Sequence, residues 1–586
     1  MHPIFRVFRP VPVCFGLTLI LFNSTASGSS ISLKETDLPA YDSAASQSQP
    51  IKNTKSEKGE APSPALIVDL NGDQKKTGSA ASIQTIDQSI DAPEERLLGL
   101  RDVLSITLQN NVAIAVQEYQ TGIRQQEITG QDAVFDPSIV IEGRANENES
   151  QIASAFAAPD ISNNERQSWK VGLSQKLVTG TQYELNYTGF RDETNSAFAG
   201  LNPQYTSRVE VNVTQPLLKN FGIDTNKKDI FIAQNNLDIS EYEFKSGVID
   251  IITNAENTYW DLVFTREDLK VKKQSVKRAQ DLERRVRAQV RVGTLAPIEI
   301  LQAQSEVASR EEGVLLAEKA IADAEDQLKN IMNINFDSQE GKKEFKPLDP
   351  ADFMLGKKIV LSEAITEALE NRPDFLVRKK ELENQNINVK FNENQLYPSL
   401  DLVGTFGLNG LSGTAGSIQQ FGGGSVRSRF GGNYGQSLDD VFSGDFKNWE
   451  VGLLLNYPIG NRAAESRLTA SRLQAAQLLL EIKDLEKSIV VEVRQASRQI
   501  LTDIKRVHAA RVARRLAEEK LAAEEKKFAV GLSTSFEVLE FQTDLAEQES
   551  RELKAIIDYK KSLSNFKKVK ASTLTAHNIS LDSRAK

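Results

Sequence analysis

Twice in this chain a long charged stretch with helical periodicity runs into a short glycine-centred turn, and a shorter helical stretch leaves it. The turns are Val292-Gly293-Thr294-Leu295 and Val530-Gly531-Leu532-Ser533, and under their 238-residue offset Glu299 falls on Glu537, Leu301 on Leu539 and Gln304 on Gln542. A repeat this long is a duplicated domain-sized unit rather than a solenoid period, with each glycine placed to end a helix and reverse the chain. The fold must therefore accommodate two similar helical hairpins.

A second correspondence lies upstream in each half. Leu100, Leu104, Leu108 and Asn110 fall on Leu361, Ile365, Leu369 and Asn371 at an offset of 261, and Asp136-Pro137-Ser138 falls on Tyr397-Pro398-Ser399. Helical spacing predicts one helix from about Leu97 to Phe135, ended at Asp136-Pro137 because a residue before proline is pushed out of the α region. Beyond each proline the apolar period drops to two. Ile139 and Ile141, then Trp169, Val171 and Leu173, then Tyr183, Leu185 and Tyr187, then Val209, Val211 and Val213 predict four strands in the first half. Leu400, Leu402 and Phe406, then Trp449, Val451, Leu453, Leu455 and Tyr457 predict two in the second. Each is apolar on one face only. Their connections alternate long, tight (Thr179-Gly180-Thr181) and long, the loop rhythm of an outer-membrane barrel.

Asp224 to Arg291 and Asn461 to Ala529 each read as one helix of roughly 100 Å. In the second, Ile482, Leu485, Ile489, Val493, Ala496, Ile500, Ile504 and Val507 step by three and four, the seam of a coiled coil. Two short helices stacked end to end match one long helix in length, so the chain is expected to supply four columns of equal height. Six half-apolar strands are long enough to cross a bilayer but too few to close in it, and open edges in lipid leave amides unpaired. Closure must come from several copies. Three copies make eighteen strands, or twelve if the Trp169–Tyr187 hairpin stays outside the wall.

Composition narrows the class. A mean hydropathy of −0.37 and 26% charged residues exclude a bundle of membrane helices. Arg6 and Arg9 before the apolar run Val11 to Phe22, with Ser24 and Ala26 before a cut, read as a secretory signal over residues 1–26. The only cysteine, Cys14, lies inside it. A net charge of −9 without a basic cluster argues against nucleic acid. Three histidines and no cysteine beyond the signal leave little for a metal site, a cofactor or a His-based catalytic group, so no enzyme is expected. The domain reading is: disordered leader 27–96; first repeat 97–335; connector 336–357; second repeat 358–570; disordered tail 571–586.

Leu108-Gln109-Asn110 and Leu369-Glu370-Asn371, Gln215-Pro216-Leu217-Leu218, Tyr259-Trp260-Asp261-Leu262 and both tip motifs occur in an order that resembles the TolC-type outer-membrane efflux and secretion factors. The resemblance spans about Leu97 to Val569. It implies an α+β membrane protein, a homotrimer whose β-barrel in outer-membrane lipid continues into a long periplasmic coiled-coil tunnel. It also implies a passive exit duct for efflux or type I secretion, docked to a periplasmic adaptor (membrane fusion) protein and an inner-membrane ABC, RND or MFS transporter. Two acidic positions that ring the tunnel aperture map to Glu537 and Glu540, three apart and so on one helix face. The polar latch of the tips maps to Glu299, with Phe528 where a tyrosine and Ser533 where an arginine would be expected. The tip residues Val292, Gly293, Thr294 and Leu295 and Val530, Gly531, Leu532 and Ser533 fall where the adaptor docks.

Trp169, Tyr183, Tyr187, Trp449 and Tyr457 lie near strand ends, as aromatic girdles at membrane interfaces do. Within the glycine-rich stretch Asn409 to Lys447, Phe421-Gly422-Gly423-Gly424 and Gly431-Gly432 lack the strand, immediate helix and Lys-Ser/Thr of a phosphate loop and are expected in a mobile outer loop. The competing reading is a periplasmic coiled-coil structural or adaptor protein without a pore, which leaves the strands and their loop rhythm unexplained.

Overall fold

The computed structural model describes residues 94–152, 160–356, 359–420 and 423–581. The signal segment 1–26 and the leader up to residue 93 lie outside the described residues. Strand β1 (Glu95–Leu98) leads into helices α1 (Leu100–Asn110) and α2 (Val112–Asp132). Strands β2 (Ser138–Gln151), β3 (Ile161–Lys176), β4 (Gln182–Thr194) and β5 (Leu201–Pro216) follow, then the single turn α3 (Ile223–Asn226), the long α4 (Lys228–Arg291) and α5 (Ile298–Ile331). After β6 (Glu344–Pro347) come α6 (Leu361–Asn371), α7 (Pro373–Asn394), β7 (Ser399–Ala415) and a small hairpin of β8 (Ser417–Gln420) and β9 (Gly424–Arg427). Helix α8 (Tyr434–Ser443), β10 (Lys447–Asn456), the long α9 (Arg462–Ala529), α10 (Ser535–Val569) and the short α11 (Thr573–Ala576) complete the chain. The long helices hold 64 and 68 residues, and the helices that leave the tips hold 34 and 35.

All six expected strands join one antiparallel sheet in the order β10-β7-β5-β4-β3-β2. The register lines up one row of side chains across the whole sheet: Ile139, Leu173, Leu185, Val211, Phe406 and Trp449. The adjacent row on the other face runs Val140, Gly172, Asn186, Glu210, Gly407 and Asn448. One face is thus apolar and the other mostly polar, as period-two alternation requires. The β3–β4 hairpin lies inside the sheet, between β2 and β5.

The helices pack in the arrangement expected of columns. Helix α4 runs beside α5 over one part of its length and beside α2 over another, and α9 runs beside α10 and α7. The short helices meet end to end: Asn111 Nδ2 donates to the Ile331 carbonyl at 2.8 Å, and Asn333 Nδ2 to the Asn110 carbonyl at 3.0 Å. One core gathers Ile252, Tyr259 and Leu262 of α4 with Val103 and Leu104 of α1, Leu328 of α5 and Phe345 of β6. A second gathers Ile489, Val493, Ile500 and Val507 of the α9 seam with Ala368 of α6 and Tyr559 of α10.

Four boundaries differ from the sequence reading. The single helix expected to reach Phe135 breaks at Asn111, whose side chain accepts from the amides of Ala113 (2.9 Å) and Ile114 (3.4 Å) and so caps a new helix. Glu95 and Arg96, assigned to the disordered leader, pair in parallel with Glu344 and Phe345 of the connector. The glycine-rich stretch is not a plain loop. Asn433 caps α8 and Gly444, at φ +72°, ends it. Residues 571–581, assigned to a disordered tail, carry α11 and bury Leu574 in the first core.

That tail is tied to α4 by a buried carboxylate. Glu256 accepts from Ser564 Oγ at 2.7 Å and Lys567 Nζ at 3.3 Å, with His577 Nε2 at 3.4 Å. Burial pushes its carboxyl up, but the His577 contact, the Lys567 charge and the Ser564 hydroxyl together hold it below the ordinary glutamate value. A lowered folded pKa contributes stability above the unfolded value and loses it as pH falls through the folded one. Glu256→Gln is expected to lower the urea midpoint at about pH 7, with the gap from the parent closing below about pH 4. An equal gap at both pH values would contradict this.

Candidate functional site

Both tips end in the same backbone device. Gly293 (φ +81°) and Gly531 (φ +79°) take the left-handed conformation that glycine adopts without a Cβ penalty. Thr294 and Leu532 then donate their amides to the carbonyls of Gln289 and Lys527, both at 2.9 Å, while Gly293 and Gly531 donate to Val290 (3.0 Å) and Phe528 (3.1 Å). This double bond pattern is the Schellman closure. It leaves Val292, Val530 and Leu532 pointing outward, each more than two-thirds exposed. Leu295 turns inward instead.

Beneath the turns an apolar cluster joins the two hairpins. Leu282 and Val286 of α4, Leu521 and Phe528 of α9, and Val538, Leu539 and Leu545 of α10 are all buried there, with Leu295 packed against them. Each side chain so buried stabilises by about 1.5–3 kcal/mol. Phe528, at the position expected to hold a tyrosine, is part of this cluster, so its lack of a hydroxyl is matched by an apolar setting. Ser533 Oγ donates to Glu537 Oε2 at 2.8 Å. The hydrogen-bond partner of Glu299 is Ser535, whose Oγ donates to its Oε2 across the two hairpins.

Glu537 and Glu540 are both exposed and share a face of α10, opposite the buried Val538 and Leu539. Their settings differ. Glu537 closes a capping box, accepting from the Thr534 amide at 3.2 Å while Thr534 Oγ1 accepts from the Glu537 amide at 3.3 Å. Glu540 has no such engagement, and Asp544 and Glu547 extend it at helical spacing along a groove between α5 and α10.

One residue that the sequence reading missed ties this region together. Arg310 of α5 is 9% exposed and uses its whole guanidinium: to Glu306 Oε1 (2.8 Å), the Ser275 carbonyl (3.2 Å), Gln542 Oε1 (3.2 Å), the Leu539 carbonyl (3.0 Å) and Thr543 Oγ1 (2.9 Å). It binds α4, α5 and α10 at once. A signal was present, since Arg310 follows Ala303 and Val307 at steps of four and three along the buried seam of α5, a seam that also holds Lys329.

Away from the tips, the two faces of the sheet have opposite chemistry. On the polar face Arg208 Nε donates to Asn409 Oδ1 (2.9 Å), Asn409 Nδ2 to Asn448 Oδ1 (2.8 Å) and Thr405 Oγ1 to Asn212 Oδ1 (2.8 Å), a ladder across strands. On the apolar face Ile141 is 78% and Val451 67% exposed, with Trp449 and Tyr457 also open. Contiguous apolar area of this extent marks a surface covered by something else. Trp169 and Tyr187, expected in the same girdle, are covered rather than open. Trp169 Nε1 donates to Tyr434 Oη at 2.9 Å and Tyr187 Oη bonds the same hydroxyl, so both sit under α8. Tyr183 bonds Gln175. Among the described residues no helix is long and apolar enough to cross a membrane, and no acidic, His or Cys cluster is fit for a metal.

A one-faced apolar sheet on a shaft of paired helices defines a class of outer-membrane channel. The outer membrane efflux protein family model matches residues 183–333 and 364–569, more than half of the chain, and the chain belongs to that family. It is an outer-membrane protein extending into the periplasm, of a family of channels rather than enzymes. The fold is similar to that of the CmeC outer membrane channel of Campylobacter jejuni (TM-score 0.57, 15% identity, 81% of this chain and 86% of that one). It is similar also to VceC of Vibrio cholerae (0.55, 14%, 82% and 97%) and to the open state of the MtrE channel of Neisseria gonorrhoeae (0.54, 14%, 81% and 89%). No curated protein matches by sequence.

Loss of the Arg310 bonds should loosen the tip. Arg310→Met is expected to speed alkylation of a cysteine placed at Val538, which is fully buried, by about tenfold or more, since hydrogen bonds to a charged group are worth about 1.5–3 kcal/mol each. Equal labelling rates in the two backgrounds would remove the clamp role.

Proposed function

We propose that three copies of this chain form a passive outer-membrane duct for efflux or type I secretion, coupled to a periplasmic adaptor and an energised inner-membrane transporter. The observation that carries the reading is the single six-stranded sheet, apolar on one face and polar on the other, whose outer strands β2 and β10 have no partner on their far sides among the described residues. Such edges cannot stand in lipid, where each unpaired backbone group costs several kcal/mol. Edge-to-edge pairing of copies removes them. The polar ladder then lines the lumen and the open apolar face meets lipid.

The β3–β4 hairpin pairs along its full length inside the sheet, which favours eighteen strands over twelve. At about 4.8 Å between strands and a tilt of about 40°, eighteen strands have a perimeter of about 110 Å. Twelve helical columns at 8–10 Å spacing need about 95–120 Å, so barrel and tunnel walls join without a step. The corresponding runs of α1–α2 with α6–α7, α4 with α9, and α5 with α10 support two internal repeats.

At the periplasmic aperture Glu537 and Glu540 form the acidic ring, continued inward by Asp544 and Glu547. Val292, Val530 and Leu532 give an adaptor exposed apolar contacts, and Glu299 with Ser535 and Arg310 hold the tips together. Carboxylates facing a narrow lumen favour cations. Glu537→Gln with Glu540→Gln keeps the cap, because glutamine serves in a capping box, and removes two charges per chain. In planar bilayers the doubly substituted protein is expected to conduct with reduced cation preference. Unchanged selectivity would exclude the ring, and failure of the parent to form any pore would exclude the duct.

A further inference from the structure

We propose that α8 is an interfacial helix, seated on the lipid-facing side of the sheet and inserting Phe442 into the outer-leaflet boundary. The inference rests on the reading of the apolar face as the lipid-facing wall.

The register fixes which face carries the helix. Ser207 Oγ meets Ser437 Oγ at 2.8 Å, Ser412 Oγ donates to the Asn433 carbonyl at 2.7 Å, and a Cβ at Gly410 would run into the Ser437 carbonyl oxygen. Ser207 shares a face with Val209 and Val211, and Gly410 with Leu408 and Phe406, so α8 covers the apolar side rather than the polar ladder. Small residues on the strands allow the close approach.

The contacts along the helix show which strands seat it. Tyr434 stacks edge-on against Trp169 of β3 at 5.1 Å, whereas Val441 lies over Gly410 of β7. The Tyr434 ring reaches outward from the helix, meeting Tyr205 of β5 at 6.0 Å as well as Trp169. The backbone of α8 stays over β7 and β5: the Asn433 carbonyl at its start meets Ser412, and the Ser437 carbonyl at its middle and Val441 near its end both lie over Gly410.

Height agrees. Strand β7 leaves α7 at Ser399 and reaches Gly410 eleven residues later, which at about 3.4 Å per residue and a tilt of about 40° is a rise of about 28 Å. An outer-membrane apolar band is about 25 Å tall. The strands turn polar or small on this face where α8 begins. At 100° per residue Leu438 and Phe442 flank one side of the packed face, and Gln436 and Asp440 the other. Phe442 is 80% exposed on a helix that is otherwise well seated. A helix with sheet beneath it, an apolar flank and a polar flank fits the boundary of headgroups and acyl chains.

Single cysteines at Phe442, Val451 and Asp439, in a Cys14→Ser background, are labelled with an environment-sensitive fluorophore and reconstituted in phosphatidylcholine vesicles. The vesicles carry nitroxide lipids spin-labelled near the headgroup or near the chain end. Position 442 is expected to lose fluorescence to the shallow nitroxide more than to the deep one, and position 439 to aqueous iodide. Quenching at 442 by iodide alone, or by neither agent because another protein segment or copy covers it, would overturn the inference. Position 451 separates the two readings: if it too escapes both nitroxides, the lipid-facing wall itself is wrong. Gly410→Leu, checked for barrel formation by heat-modifiable migration, is expected to abolish the shallow quenching at 442 and leave 451 unchanged; retained quenching at 442 would mean that the sheet does not seat the helix.

Discussion

Unpaired backbone amides and carbonyls cannot be left in hydrocarbon, and that constraint governs the rest of this fold. A sheet of six antiparallel strands ending in β10 and β2 has every internal ladder made and two edges open. Water can satisfy such edges in a soluble protein; acyl chains cannot. With one face apolar, the sheet has no stable free existence in either solvent. In the proposed duct the sheet closes against identical chains, and the helices inherit that symmetry because each strand pair is continuous with helical columns at the periplasmic end.

The shaft solves a different problem. Helices of 64 and 68 residues need partners along their whole length, because propensity alone does not hold a helix whose apolar face is open. Short helices meeting end to end supply them, and the joints are polar: Asn111 and Asn333 satisfy carbonyls that the helix ends leave unpaired. At the tips the balance shifts to an apolar cluster with one buried cation in it. A buried guanidinium is stabilising only when its donors are all used, and Arg310 uses them on three helices. The tip thus combines glycine-closed backbone turns with a side-chain junction shared by three helices.

Much of this was legible in the chain. Period-two alternation marked all six strands, and the offsets of 238 and 261 residues marked matching helices whose bounds the structure reproduces to within a few residues. What escaped was decided by contacts distant in sequence. Asn111 reads as one more polar helix position until its side chain is seen to cap α2. Arg310 reads as a surface charge until α10 packs over it. The Gly-rich stretch hides α8 because its ten residues are seated by Gly410, Ser207 and Ser412 on strands far away, and loop-like composition outweighs a short helical pattern. The tail beyond residue 570, expected to be disordered, is held because Glu256 on α4 meets its histidine and Leu574 reaches the first core.

The most direct measurement is disulfide mapping of the two sheet edges in intact outer membranes, with one cysteine scanned along β2 and another along β10 in a Cys14→Ser chain. Closure by copies predicts covalent dimers and trimers and nothing larger, appearing with a period of two along each strand and absent when either cysteine is alone. A cross-link formed within one chain, or chains that stay monomeric at every pair of positions, would contradict the closed assembly on which the duct depends.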